Sequence, residues 1–584
     1  MKKILSFIFV PLLFAGCINL DFVESDSLSS AALAANPAAA EYTTDGVYAL
    51  TKFTFCRQYI MMNAIKGDDI CFSNTSTDTF WQSANYWDDA NASDAGNMWA
   101  ISYQAIYTAN ANISGLDEET AANRQLKGEN YFLRAFFHFT LCNFFAKPYS
   151  FGAENPGVVL RIGTDYSTTT RATVGECYDA IEADLLKAIE LMSPEAKRGD
   201  NGYATQEAAK ALLGRLYLYK GEWQKCIDVC NDLLGSDAGS HLVADVKGDL
   251  YENAPNSAEV IWCSDLTEGD IAGWNPKSML ASMFDSPDGT QMTGWGELYV
   301  ADPLLDLFER FPQDQRYTKM IRLHGSEPGL TVNWGEMDEV NGCLTQAIAL
   351  PTVNIAAGTV TSSVKDNGDG TYSFTKDGKS YKAIPDNTSS KICEEFPGYI
   401  LNDGKNTRCY VRKVMPMPTP GTDIFEANGA SIRPGGYPTW FCTKFSYQNN
   451  LSLPLCSSLI FIRYGEVILN RAEAYAHLGD EAKALADVNV IRTRAGLTGN
   501  AQMTSANMAK RGYKNVIDCV LDERRMELYY EGFRVIDLLR NQKDIDRRFP
   551  SRTECALIPY TYPNIQYQIP AAETSVSGIP SNER

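Results

Sequence analysis

The chain is predicted to be mainly α-helical, with a helical scaffold joined to a loop-rich, irregular half that carries small β-hairpins. Three observations predict this. Apolar residues recur at helical spacing over long stretches on both sides of the middle. The middle, residues 236–458, lacks that periodicity and is rich in Gly, Pro, Asn, Thr and aromatics. Helix-turn-helix patterns with a Gly at the turn appear once on each side of it.

The elements follow in order. Ala95 to Leu116 places Trp99, Tyr103, Ile106, Ala109 and Ile113 on one stripe, the spacing of a buried helix face. Ala121 to Phe145 is a second helix, and Pro148 stops it. Ala172 to Met192 is a third, with Thr170 or Thr173 as its cap. Thr205 to Leu234 forms a helical hairpin around Lys220-Gly221-Glu222-Trp223. Far downstream, Phe461 to Leu478, Gly479-Asp480 and Glu481 to Ala495 form another. With Gly221 placed on Gly479, small and apolar residues recur in register and an acidic residue follows each turn. This pattern resembles tetratricopeptide repeats, whose helix pairs bury their faces by stacking. The two copies are too few and too separated in sequence for a long solenoid, so a scaffold is expected. Val516 to Leu539 supplies a further helix. In the middle region only Asp302 to Arg310 has helical periodicity. Asp366 to Phe374, followed by Lys376 to Lys379, reads as a β-hairpin with Gly turns. A calcium loop there is disfavoured, because Gly368 interrupts the series of ligand positions.

The N-terminus reads as an export signal. Lys2 and Lys3 precede the apolar run Ile4 to Phe14, which is shorter than the roughly 20 residues that span a bilayer. Leu13-Phe14-Ala15-Gly16-Cys17 resembles the lipobox of bacterial lipoproteins. The resemblance implies cleavage before Cys17 and lipidation of that residue, which anchors the chain firmly. Ile18 is not Asp, so the usual inner-membrane retention signal is missing. Asp21, Glu24 and Asp26 resemble the acidic stretch of surface-exported lipoproteins of the Bacteroidetes, and equally fit a solvated linker. The expected organisation is a signal peptide over 1–16, a lipid-anchored linker over 17–40 and one large domain over 41–584. Its scaffold occupies about 95–235 and 459–540. The expected location is the outer membrane, facing the cell exterior.

Composition narrows the function. The formal charge is −20, and removal of residues 1–16 takes away two lysines and no acids. Such a surface repels nucleic acid, whose binding depends on neutralising phosphates, and argues against a peripheral site on anionic lipid. Fourteen cysteines follow Cys17 without a compact disulfide framework. Cys142 sits in an apolar helical run, and Cys226 and Cys230 are i, i+4 on one helix, where they pack as small hydrophobes. No C-x-x-C pair occurs and the four histidines are scattered, so no metal site and no cofactor are expected.

Several segments resemble the SusD/RagB family. Gly128 to Phe139 contains the family's "FLRA" followed by an aromatic run, and Tyr149-Ser150-Phe151-Gly152 and Asn155-Pro156-Gly157 follow it. Arg463 to Ala474 is similar to "RYAEVLLNRAEA", with Gly465 in place of its first Ala. Asp487 to Leu497 matches "LNxIRxRAGL", and Ile517 to Arg540 matches "ERRxELxxEGxRxxDLxR". Ile569-Pro570-Ala571-Ala572-Glu573 resembles the closing "IPxxE". The resemblance implies a tetratricopeptide-like half supporting a loop-rich half. It also implies a partner, a SusC-like TonB-dependent outer-membrane barrel, and a task, the capture of a glycan or, less often, a peptide for import. Arg134, Glu466, Arg471, Glu473, Arg492, Arg494, Glu523, Arg524 and Arg525 lie on helices at turn spacing, so they are read as ion pairs that staple helices together.

A glycan platform needs exposed aromatic rings for the C–H face of a sugar, with polar neighbours for its hydroxyls. Two clusters meet that need: Trp81, Asn85, Tyr86 and Trp87 in one loop, and Trp274, Trp295 and Tyr299 in the loop-rich half. Trp99 and Trp223 are assigned to the core. The rival class, a glycan-degrading enzyme, requires two carboxylates at defined separation. Seventy-two acids leave that open, but the sequence holds no nucleophile elbow, metal spacing or phosphate-binding glycine loop. A tetratricopeptide adaptor would explain neither the lipobox nor the aromatic loops.

Overall fold

The computed structural model describes residues 38–582, apart from 73–78, 271–297, 386–398, 415–439, 446–456, 550–556 and shorter stretches, most of them between 324 and 407. Two short helices, α1 (Ala39–Ala49) and α2 (Thr54–Ala64), open the described chain. Strand β1 (Ile70–Phe72) and helix α3 (Thr79–Ala84) lead into α4 (Ser93–Gly115) and α5 (Ala121–Phe145). Then come α6 (Val174–Leu191), α7 (Gln206–Lys220) and α8 (Trp223–Leu234).

Local chemistry sets these boundaries. Thr120 accepts the Asn123 N–H at the start of α5, and Thr173 and Glu176 cap α6 reciprocally; a cap of this kind contributes about 1 kcal/mol. Gly221 closes α7 at φ 77° and Gly479 makes the equivalent turn downstream at φ 79°, a left-handed conformation that costs glycine nothing.

The two helical hairpins are separated in sequence and adjacent in space. Helices α4 to α8 pack in succession, and α8 lies directly against α11 (Tyr464–His477). Helix α11 in turn packs on α12 (Glu481–Arg494) and α13 (Val516–Leu528). At this junction Trp223 stacks face to face on His477, with centroids 4.0 Å apart. The helix expected over Val516 to Leu539 is two helices, α13 and α14 (Arg534–Arg540). Tyr530 at φ 61° and Gly532 at φ 89° break it. The break turns the Glu531 carboxylate inward, onto Arg463 and Lys444.

The loop-rich half leaves and rejoins the scaffold through one strand pair, β2 (Val260–Cys263) with β12 (Ile460–Arg463). Between them lie β3 (Leu298–Val300), paired with β1, and helices α9 (Asp302–Glu309) and α10 (Gln315–Met320). The expected hairpin is present as β7 (Tyr372–Lys376) and β8 (Lys379–Pro385). It belongs to a seven-stranded antiparallel sheet that includes β4 (Gly329–Trp334), β5 (Ile348–Leu350), β6 (Lys365–Asp366), β9 (Tyr399–Leu401) and β10 (Arg408–Val414). Strand β11 (Trp440–Cys442) pairs with residues 321–323.

The core centres on aromatic rings. Phe55, Phe136, Phe137, Phe461 and Trp262 meet edge-on or tilted, with centroids 4.6–6.1 Å apart. Phe136 and Phe137 belong to the aromatic run after "FLRA". Trp262, which the sequence did not single out, is fully buried. Trp99 is buried as expected, and Cys142, Cys226 and Cys230 are buried thiols.

A second core is ionic. Arg463 lies 2.9 Å from Glu259, 2.6 Å from Glu527 and 2.8 Å from Glu531. Arg316 reaches Asp314 at 2.6 Å, Glu523 at 2.8 Å and Glu527 at 3.2 Å. Arg492 pairs with Glu523, and Arg494 with Glu259 and Glu527. Alongside, Arg524 and Arg540 share Asp537 and Glu473, Arg525 holds Asp68 and Asp69, Arg215 holds Glu466, Arg471 holds Asp487 and Arg134 holds Asp184. The charged motif residues therefore staple elements together, as their helical spacing predicts.

Burial by itself would raise the Glu527 carboxyl, but Arg494, Arg463 and Arg316 outweigh it and hold the group well below its usual range. A carboxyl depressed on folding stabilises the protein above the unfolded value of about 4.5, and that contribution shrinks as pH falls below it. Glu527→Gln is expected to cost about 3–5 kcal/mol at pH 7, the cost of stranding buried charge. The deficit should narrow below about pH 4.5, measured by urea unfolding across pH.

Candidate functional site

The candidate site is built where α3 ends. Tyr86 N–H donates to Ser83 O at 3.0 Å and Trp87 N–H to Gln82 O at 2.8 Å. These are the paired bonds of a Schellman cap, with Tyr86 at the left-handed position that glycine usually takes. Tyr86 adopts φ 58° there, a strain of about 1 kcal/mol for a side chain with a Cβ. Its burial offsets that cost. The Tyr86 hydroxyl donates to Lys66 O at 2.6 Å, the Arg547 guanidinium sits 4.7 Å from its ring centre, and Asn564 Nδ2 donates to Tyr86 O.

The residue after Trp87 is anchored as well. Asp88 is buried, with its carboxylate 3.0 Å from Lys66 Nζ. Lys66 Nζ also donates to the carbonyls of Asn564 and Ile565, at 2.9 and 3.2 Å, and lies 3.8 Å from the Tyr567 ring centre. Trp87 is thus flanked by two residues turned inward, and its own side chain projects outward at 64% exposure. Along the same loop lie the half-buried Asn85 and the exposed Asp89 and Asn91, and the Tyr562 ring meets Tyr86 edge-on at 5.5 Å. Ala571 N–H donates to Ala90 O at 2.7 Å, which brings the C-terminal segment onto the loop.

The other predicted site residues fare differently. Trp81 lies on α3 and is buried, so it packs into the core instead of presenting a ring. Tyr86 is buried for the reasons above. Tyr299 is buried in β3 opposite Cys71, and its carbonyl accepts the Tyr530 hydroxyl. Asn85 donates its amide to Trp81 O at 2.9 Å and helps close α3. Trp274, Trp295 and Cys17 lie outside the described residues. Sequence reasoning missed Lys66 and Tyr562. The cluster Tyr560-Thr561-Tyr562-Pro563-Asn564 was the one available signal, a run of aromatic and polar residues before the closing motif. Among the described residues, no group of three or more His, Cys, Asp or Glu is placed to hold a metal ion.

The described residues thus present one exposed ring, Trp87, on an anchored loop over a tetratricopeptide-like helical scaffold. Residues 28–218 match the family model for SusD-like proteins described as starch-binding and associating with the outer membrane. Residues 427–577 match the model of the SusD family, and the two matches together span more than half of the chain. The chain belongs to the SusD/RagB family. A SusD-like protein of Formosa agariphila is 34% identical over 91 residues, which cover 15% of this chain and 18% of that protein. The match therefore spans under a fifth of that relative's length. Among solved structures, a SusD superfamily protein from Bacteroides thetaiotaomicron aligns with a TM-score of 0.64 at 20% identity, over 93% of this chain and 99% of its own. Another from Bacteroides vulgatus reaches 0.65 at 19% identity, over 93% and 98%. A laminarin-binding SusD-like protein aligns at 0.57 and 20% identity, over 94% and 99%. At these identities the likeness shows the shared fold.

The Lys66–Asp88 pair is expected to carry the loop. Asp88→Ala strands a fully buried ammonium and should cost about 3 kcal/mol or more, read as a lower urea midpoint with an unchanged slope.

Proposed function

We propose that this chain is a surface lipoprotein that captures glycan on the Trp87 platform and passes it, uncleaved, to a TonB-dependent outer-membrane barrel. One observation carries the binding part: Trp87 is exposed while both of its chain neighbours are locked into the interior. A preordered ring loses little entropy when a sugar stacks on it, and the exposed Asp89 and Asn91 of the same loop offer hydroxyl partners. The family's description as starch-binding and the laminarin-binding relative support a carbohydrate ligand. The lipobox-like segment ending at Cys17 supports anchoring, and the family's association with the outer membrane supports the location and the barrel partner.

Affinity electrophoresis against a panel of polysaccharides tests the binding reading, with chromatography of the polymer before and after. Trp87→Ala should weaken retention at least tenfold, about 1.4 kcal/mol, with the melting temperature nearly unchanged, because exposed substitutions stay within about 0.5 kcal/mol. Release of shortened products over time would overturn the non-cleaving role. Cys17→Ala in the full chain should abolish incorporation of radiolabelled palmitate and release the protein from the membrane fraction.

A further inference from the structure

The direction in which charges point around Trp87 restricts what can lie on it; this inference rests on the platform reading above. Among the described residues, Lys66 and Arg547 beside the loop are turned inward, and the partly exposed Arg548 is already paired. Lys66 is buried against Asp88 and two carbonyls. Arg547 is buried, and its nitrogens donate to the carbonyls of Ile65, Gly67 and Ala84. Arg548 is held by Asp546 at 2.8 Å.

The acids point the other way. Asp89 is exposed, and its Oδ1 accepts the Asn91 N–H. Glu573 is partly exposed on the segment that Ala571 ties to Ala90. Asp544 is exposed, and its Oδ1 accepts the N–H of Tyr560, two residues from Tyr562. Among the described residues, none of these three carboxylates has a cation within ion-pair distance.

We propose that the platform takes an uncharged glycan and rejects chains bearing uronate or sulfate groups. A neutral sugar presents hydroxyl donors, and ionised carboxylates are strong acceptors for them. A uronate or sulfate brings a second negative charge beside Asp89 and Glu573, while Lys66 and Arg547 are turned inward. The chain's formal charge of −20 adds to the repulsion.

The test uses the mature chain and matched polymers: laminarin, starch, mannan and xylan, each beside its carboxymethyl derivative. At about 20 mM NaCl at least one neutral parent should be retained, and its derivative should bind at least tenfold more weakly. The gap should shrink towards about 500 mM, where the Debye length falls to about 4 Å. The double variant Asp89→Asn, Glu573→Gln should narrow the gap at low salt several-fold, read as the ratio of derivative to neutral-parent binding in the same variant. Equal or tighter retention of the derivative at low salt would overturn the charge inference and leave the platform standing. Retention of a neutral parent that survives Trp87→Ala unchanged, or no retention of any neutral parent, would overturn the platform and this inference with it.

Discussion

The structure depends on buried charge that is complete only when distant segments meet. Helix α13 contributes Glu523, Arg524, Arg525 and Glu527, all buried, and Glu531 follows them. Their partners come from five places: Asp68 and Asp69 before β1, Arg316 on α10, Lys444 after β11, Arg463, Glu473, Arg492 and Arg494 on or beside α11 and α12, and Asp537 on α14. An ion left without its partner in such an interior costs several kcal/mol. Each segment must therefore arrive with the others, and the loop-rich half is bound to the scaffold at a fixed orientation.

That constraint explains why loops can carry the site. The Trp87 loop has no regular structure after α3, yet both of its anchors reach into the interior. Asp88 is tied to Lys66, and Lys66 to the backbone of 564–565. Asp68, two residues from Lys66, is held by Arg525 and Arg534 of the ionic core. The exposed ring is thus connected through a few contacts to α13. The proposed sugar platform gains from this stiffness, because little order remains to be imposed on binding.

Much of the scaffold was legible in the sequence. The helix over Ala121–Phe145 follows from its periodicity and the Pro148 stop, and the next helix from its Thr caps, Thr170 or Thr173, of which the structure uses Thr173. Both hairpin turns follow from a Gly at a helix end. The charged motif residues were assigned to ion pairs from helical spacing alone. The candidate site was legible only in part. Trp81, Tyr86 and Trp87 are neighbours of similar composition, but a six-residue helix and one left-handed residue send two rings inward and one outward. The seven-stranded sheet escaped notice because its strands are two to seven residues long, and the pair β4–β10 joins segments more than seventy residues apart.

By itself, the sequence determined the long helices of the scaffold and that their charged faces seek partners, because those features depend on residues three or four apart. Only the tertiary structure decided which charges pair, that the two hairpins stack despite the long insertion between them, and that Trp87 alone of its cluster faces water. Those outcomes depend on burial, which no local pattern encodes.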